Sequence, residues 1–236
     1  MKLSIIIPAY NEEKRLGPTL VSLTSYLQKE KFDYDILVVD DGSKDKTAEL
    51  VETASRADKR ISLLKNPGNK GKGYSVRQGM LKAAGDFLLM FDADASTPPE
   101  EISKLFLRGE EPIWDVGIGS RRVKGSHIVK RQGFFREVNG RMFSFLTRLL
   151  FPEIRGIVDT QCGFKVFRKK AARAIFLDAR TNGFSFDIEV LVIAKRKGFV
   201  VKEIPVNWVN DNDSRVSVAG NLKTVLFDLW RIRLGR

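Results

Sequence analysis

Asp92 and Asp94 stand one residue apart where an apolar run, residues 87–91 (FLLMF), comes to its end. Two carboxylates at that spacing on a loop tip make a hard-oxygen site suited to Mg²⁺ or Mn²⁺ together with a substrate phosphate. Taken alone, the same pattern also describes a solvated turn whose acids precede the next helix. Other apolar runs end in polar groups too: Asp40 and Asp41 follow residues 36–39 (ILVV), and Tyr10, Asn11 and Glu12 follow residues 3–7 and Pro8. The loop from Gly68 to Gly73 (GNKGKG) matches neither the Walker nor the dinucleotide-binding glycine spacing. It could accept an anion through backbone N–H groups at a helix start, or be a flexible turn.

These groups need a scaffold that brings strand ends together. Residues 87–91 are short and apolar on both faces, as in a buried strand of a parallel sheet. The run at residues 3–7 is followed by Pro8, which is expected to end it, and then by a helical stripe of Leu16, Leu20, Leu23 and Leu27. A second unit pairs residues 36–39 with a helix burying Thr47, Leu50, Val51 and Ala54. A third pairs residues 61–64 with a helix over 74–84, and residues 116–119 add a fifth strand. This alternation predicts a mostly parallel α/β sheet flanked by helices, with ligands at the carboxyl ends of the strands.

The composition narrows the function further. The chain has 236 residues, 43% hydrophobic and 30% charged, with a formal net charge of +12, enough for a core and strongly attractive to polyanions. One cysteine, Cys162, excludes an intrachain disulfide and fits a reducing compartment. Residues 3–7 are too short for a signal peptide, and no run reaches the roughly 20 apolar residues of a membrane span. A cytoplasmic or peripheral protein is expected. Beyond Ser120 lie Arg121, Arg122, Lys124, Lys130, Arg131 and Arg136, then Phe134, Phe135, Met142, Phe143, Phe145, Leu146, Leu149, Leu150 and Phe151 interleaved with Arg141 and Arg148. The C-terminus repeats the theme, with Val225, Leu226, Leu229, Trp230 and Ile232 against Lys223, Arg231, Arg233 and Arg236. Such basic amphipathic segments suit a membrane interface, or else a core-packing helix with a solvated basic face. No base-stacking motif accompanies them, so nucleic acid is not the expected partner. His127 is given no catalytic role.

The ordered set IIIPAYNEE (residues 5–13), VVDDGSKDKT (38–47), NKGKG and VRQGM (69–80), FDADAS (91–96), GSR (119–121) and DTQCGFK (159–165) resembles the inverting family-two glycosyltransferases of GT-A, Rossmann-like fold. Within that family DTQCGFKVF, FSFDIEVL and IPVNW look most like the dolichyl-phosphate β-glucosyltransferases among the polyprenyl-phosphate sugar synthases. The resemblance implies one domain, with a nucleotide-binding half (1–120) and an acceptor-binding, membrane-interface half (121–236). It implies that Pro8, Tyr10, Glu12 and Asp41 hold uridine, that Lys72 and Asp92 lie along the nucleotide, and that Asp94, with Asp92, binds Mg²⁺ or Mn²⁺. Arg121, Arg136 and Arg215 would cradle the acceptor phosphate, Asp159, Thr160 and Gln161 would face the sugar, and Asp187 and Glu189 would support that wall. Asp94, Asp159, Arg121 and Arg136 are the implied catalytic set. The mannosyl branch often has glutamine where this chain has Ser96, which turns the reading toward glucose. The eukaryotic glucosyl enzymes tend to carry an N-terminal membrane helix with no counterpart here, so anchoring would be interfacial, on the cytoplasmic face.

The chemistry is consistent with those roles. A lipid monophosphate, with a second pKa of about 6, is largely ionised at neutral pH and needs no strong base, only arginines that hold it in line with the anomeric carbon. A hydroxyl acceptor would need a base, and Asp159 is the first candidate. The expected activity is therefore glucose transfer from UDP-glucose to a dolichyl or polyprenyl phosphate, with no obligate protein partner. The rival readings are a mannosyl or N-acetylhexosaminyl donor, a sugar or protein hydroxyl as acceptor, and a basic nucleic-acid-binding protein.

Overall fold

The computed structural model describes residues 1–106, 112–130, 134–209 and 222–235. Four strands and three helices alternate first: β1 (Lys2–Ala9), α1 (Leu16–Lys29), β2 (Asp33–Asp40), α2 (Thr47–Ala57), β3 (Ile61–Lys65), α3 (Lys72–Lys82), β4 (Phe87–Met90), then the short α4 (Ile102–Leu105) and β5 (Val116–Ser120). The second half holds β6 (His127–Lys130), α5 (Phe134–Leu150), β7 (Lys165–Arg168), α6 (Lys169–Asp178), α7 (Phe186–Arg196), β8 (Val201–Pro205), β9 (Asn207–Val209) and α8 (Leu222–Leu234). Seven strands form one sheet in the order β3-β2-β1-β4-β7-β5-β8, and β6 pairs with β9 beside it.

Side chains alternate across the sheet, and two apolar clusters follow from that alternation. Leu3, Ile5 and Ile7 face Leu16, Leu20, Leu23, Leu27 and Val51, so α1 and α2 cover one side. Ile6, Leu37 and Val39 face Val76, Met80, Ile175, Val190, Leu229 and Ile232, so α3, α6, α7 and α8 cover the other. The expected leucine stripe of α1 is buried throughout. In α2, Thr47 and Val51 are buried while Leu50 and Ala54 pack from a partly exposed position.

Three differences from the sequence expectation bear on the site. β1 runs through Pro8 to Ala9 instead of stopping before it. Ile6 O accepts from Phe91 N on the β4 side and Ala9 O from Asp41 N on the β2 side, so the backbone of Pro8, two residues on from Ile6, points toward β4. Pairing with β4 ends at Ile6–Met90, and a missing N–H leaves no partner unsatisfied there. The helix α3 begins at Lys72, which places that lysine in the first turn, beside Gly71 at a φ of 99°. Finally, β7 enters antiparallel between β4 and β5. Antiparallel insertion brings the loop before β7, residues 159–164, to the carboxyl end of β4, where Asp92 lies.

Candidate active site

The loops after β1 and β2 are laced together by side chains. Asn11, held at a φ of 56°, donates its N–H to Ser43 Oγ at 2.9 Å, and Lys44 N donates to Asn11 Oδ1 at 2.8 Å. Glu12 N donates to Thr47 Oγ1 at 2.7 Å. The Glu12 carboxylate takes a fork from Arg15, at 2.7 and 2.6 Å. Tyr10 is exposed and Pro8 half-buried. Asp41 is buried and works as a tie: its carboxylate accepts from Asn66 Nδ2 at 2.8 Å, Lys70 N at 3.0 Å and Gly71 N at 2.8 Å. Among the residues that the resemblance assigns to uridine, Asp41 thus shapes the glycine-rich loop from below.

That loop is packed tightly. A Cβ on Gly71 would stand 2.5 Å from Asn182 O, and one on Gly73 would stand 2.5 Å from Thr181 O and 2.6 Å from Phe186 Cβ. The glycines are there because residues 181–186 leave no room for a side chain. The lysine between them, Lys72, reaches Asp92 Oδ1 at 2.7 Å. Burial opposes its charge, but Asp92, Asp187 and Asp94 outweigh burial and raise its pKa.

Asp94 is half-buried, accepts Ser96 N at 3.0 Å and precedes Ala95, which adopts a φ of 47°. Burial first and the charge of Asp92 second raise its pKa. Two crowded carboxylates of this kind are the donor set that a hard divalent cation would relieve. Among the described residues no group of three or more His, Cys, Asp and Glu gathers for a metal. Asp92 and Asp94 by themselves offer carboxylate oxygens of the kind a hard divalent cation takes, fewer than its full set. Ser96 is nearly buried, and its carbonyl accepts Val209 N at 2.8 Å, which joins this turn to β9.

On the other flank, Asp159 is fully buried and forked onto Arg121, with Nε and the backbone N of Arg121 to Oδ2 at 2.7 and 2.9 Å and Nη2 to Oδ1 at 2.8 Å. Burial would raise this carboxyl, but the charge and hydrogen bonds of Arg121 prevail and bring it down to about 2. The Arg121 guanidinium also lies over the Trp208 ring, 5.3 Å from its centroid, and feels the charge of Asp92, so the two flanks meet electrostatically. Next in the chain, Arg122 joins Ser144 Oγ on α5, at 2.9 Å, to the carbonyl of Val158, at 3.4 Å. Among the described residues, Thr160 Oγ1 and Gln161 Nε2 are buried without a hydrogen-bond partner. Arg136 sits in α5 with its side chain outside the described residues, and Arg215 lies outside them altogether.

Asp187 and Glu189 stand in the first turn of α7. Glu189 accepts the backbone N–H groups of Arg180 and Thr181, at 2.8 to 3.0 Å, and so fixes the loop that packs on Gly71 and Gly73. Asp187 pairs with Lys165, both buried. The sequence reading assigned no role to Lys165, nor to Glu203, whose carboxylate accepts Val158 N at 2.8 Å and Asp159 N at 2.9 Å. Lys165 closes the DTQCGFK stretch and opens β7 (KVFR), and its place at the end of that stretch is the available signal; Glu203 offers none. Cys162 is buried and its thiol is pushed up to about 11 by burial, so it is inert at neutral pH.

The sequence profile described as glycosyl transferase family 2 matches residues 4–176. A dolichyl-phosphate beta-glucosyltransferase of Trichomonas vaginalis is 37% identical over 242 residues, covering 98% of this chain and 72% of that protein. The Homo sapiens dolichyl-phosphate beta-glucosyltransferase is 35% identical over 249 residues, covering 99% and 75%. Among solved structures, glucosyl-3-phosphoglycerate synthase from Mycobacterium tuberculosis, in complex with Mn²⁺ and UDP-glucose, superposes with a TM-score of 0.71 at 18% identity, covering 99% of this chain and 79% of that one. That last likeness is one of fold.

Proposed function

The chain belongs to glycosyl transferase family 2, and from that membership we propose that it transfers glucose from UDP-glucose to a dolichyl or polyprenyl phosphate with inversion, as a peripheral protein on the cytoplasmic face of a membrane. The observation that carries the lipid acceptor is the orientation of α5. This helix packs Phe143 against the core and buries Ser144 and Thr147, yet leaves Met142, Phe145, Leu146, Leu149 and Leu150 exposed, more apolar surface than a helix packed wholly by its apolar side would show. On α8, Leu226, Phe227 and Trp230 are likewise exposed. No helix among the described residues is long and apolar enough to cross a membrane, so these faces suit a position within the interface.

Residues 1–120 hold the donor and residues 121–236 the acceptor. The Asp41 tie shapes the cradle of Gly71, Lys72 and Gly73, and Lys72 neutralises charge along the diphosphate. A divalent cation on Asp92 and Asp94 supplies, when bound, electrostatic stabilisation of the leaving diphosphate. Arg121, aligned by Asp159, Arg136 and Arg215 hold the acceptor phosphate, and Thr160 and Gln161 take sugar hydroxyls. With Asp159 ionised down to about pH 2 by its fork to Arg121, it makes a poor base, which supports an acceptor that arrives already ionised.

Radiolabelled UDP-glucose, GDP-mannose and UDP-N-acetylglucosamine, each offered with dolichyl phosphate in detergent micelles and Mn²⁺, test the reading. Label should enter the organic phase from UDP-glucose. Transfer from GDP-mannose alone would overturn the donor, and Arg136→Ala left fully active while Asp159→Asn is dead would point to a hydroxyl acceptor instead.

A further inference from the structure

The loop that carries Asp159, Thr160 and Gln161 is pinned at both ends. Glu203 holds its start through the N–H groups of Val158 and Asp159. Lys165 holds its end. The Lys165 ammonium is fully buried, donates to Cys162 O at 2.7 Å and pairs with Asp187. On β7, Lys165 stands opposite Met90 of β4 and Ile118 of β5, two residues before Asp92 along β4. The turn it fixes rests directly on the donor carboxylate: a Cβ on Gly163 would fall 1.7 Å from Asp92 Oδ2. Asp92 in turn carries Lys72. A chain of contacts thus runs from α7 through Lys165 and the turn at Cys162 and Gly163 to the Asp92 carboxylate. Between the two pins, Thr160 Oγ1 and Gln161 Nε2 are left buried without partners among the described residues, polar atoms that a bound substrate would satisfy.

A buried ion pair is a poor way to stabilise a core, since an apolar pair of similar volume commonly does as well or better. What an apolar pair lacks is a donor for the Cys162 carbonyl. We infer that Lys165 is a positioning residue, which seats the loop bearing Asp159, Thr160 and Gln161 against Asp92 and so sets where the sugar-facing side chains stand relative to the Asp92 carboxylate. This rests on the glucosyl-transfer reading above.

The test replaces the pair as a unit, Lys165→Met with Asp187→Leu, and compares thermal melting, UDP–Mn²⁺ affinity by calorimetry, kcat, and hydrogen exchange across residues 158–164. The double variant should stay folded, melting a few degrees below the parent because the Cys162 carbonyl loses its donor, and should keep its UDP–Mn²⁺ affinity within about tenfold of the parent. Faster exchange in residues 158–164 and a kcat down roughly 100-fold, the scale of a 1 Å misplacement of reacting groups, are the expected signature. Unchanged exchange and kcat would overturn the inference, and so would an activity loss matched by an equal loss of UDP–Mn²⁺ affinity. If the double variant fails to fold, Lys165→Arg and Lys165→Met decide. The guanidinium of Lys165→Arg keeps the charge and a donor, so kcat and loop protection should stay nearer the parent than in Lys165→Met, and a folded Lys165→Met protein with parent-like exchange and kcat would overturn the role. A parent that transfers no glucose would refute the functional reading, while the exchange comparison would still decide the role of Lys165.

Discussion

Asp159 and Arg121 are more use to the site as a fixed pair than as separate reagents. A fully buried carboxylate needs a partner, and the fork from Arg121 supplies it. The carboxyl moves from its ordinary 3.8 to about 2, a shift corresponding to roughly 2 kcal/mol at about 1.36 kcal/mol per unit. Because the folded value is the lower one, this stabilisation is complete above pH 4 and is lost as pH falls through 4 toward 2. Replacing Asp159 by Asn should therefore destabilise the protein by about 3 kcal/mol at pH 7, since a buried guanidinium then lacks its counter-charge. The gap between variant and parent in urea denaturation should narrow between pH 4 and pH 2. A gap independent of pH over that range would mean that Arg121 does not hold the carboxyl low.

At the scale of elements, α3 and α5 are each placed by a feature unlike ordinary helix packing. On α3, Gly73 trades helix propensity for close approach to Thr181 and Phe186. Gly73→Ala would gain about 1 kcal/mol in propensity but lose about 1–3 kcal/mol to overpacking against backbone that cannot move aside. The net expectation is destabilisation of about 1 kcal/mol with weakened UDP binding, read by thermal melting and calorimetry; a stabilised variant would refute the packing. On α5, Phe145 is 61% exposed and Thr147 fully buried. Leu146→Asp with Leu149→Asp should leave melting and UDP binding unchanged yet reduce flotation with anionic vesicles at least tenfold, each side chain contributing on the order of 1.5–3 kcal/mol when buried. Vesicle binding that survives both changes would place the membrane contact elsewhere. The elements themselves were legible because leucine spacing and apolar runs report burial directly: the α1 stripe and the runs at residues 36–39 and 87–91 all became core. The direction of β7 was not legible, since a four-residue strand (KVFR) carries no mark of parallel or antiparallel pairing. Nor could spacing reveal that Asp41 faces the glycine-rich loop, because its three donors lie 25 to 30 residues away. The aspartates after β4 were visible as a pair; the lysine and glycine of residues 163–165 that rest against them depend on that unseen strand direction.

For the whole molecule, the sheet brings the Lys72–Asp92 pair and the Arg121–Asp159 pair to one end, and their charges converge there. Burial and the charge of Asp92 raise the pKa of Asp94 even though Lys72 pairs with Asp92, so a cation bound together with a diphosphate would relieve the Asp94 carboxylate. Binding to the native state alone stabilises by mass action, about 2.7 kcal/mol at 100 times Kd. For a chain of this size each kcal/mol moves Tm by roughly 2–4 °C. Saturating UDP with Mn²⁺ should therefore raise Tm by about 5–10 °C. EDTA should remove most of that rise, because without the cation the diphosphate faces Asp92 and Asp94 while Lys72 is already committed to Asp92. Asp94→Asn should show the small rise of the EDTA-treated parent even with Mn²⁺ present, while retaining its own folded baseline. A full rise in EDTA, or in the Asp94→Asn protein, would show that the nucleotide is held without these two aspartates acting as metal ligands.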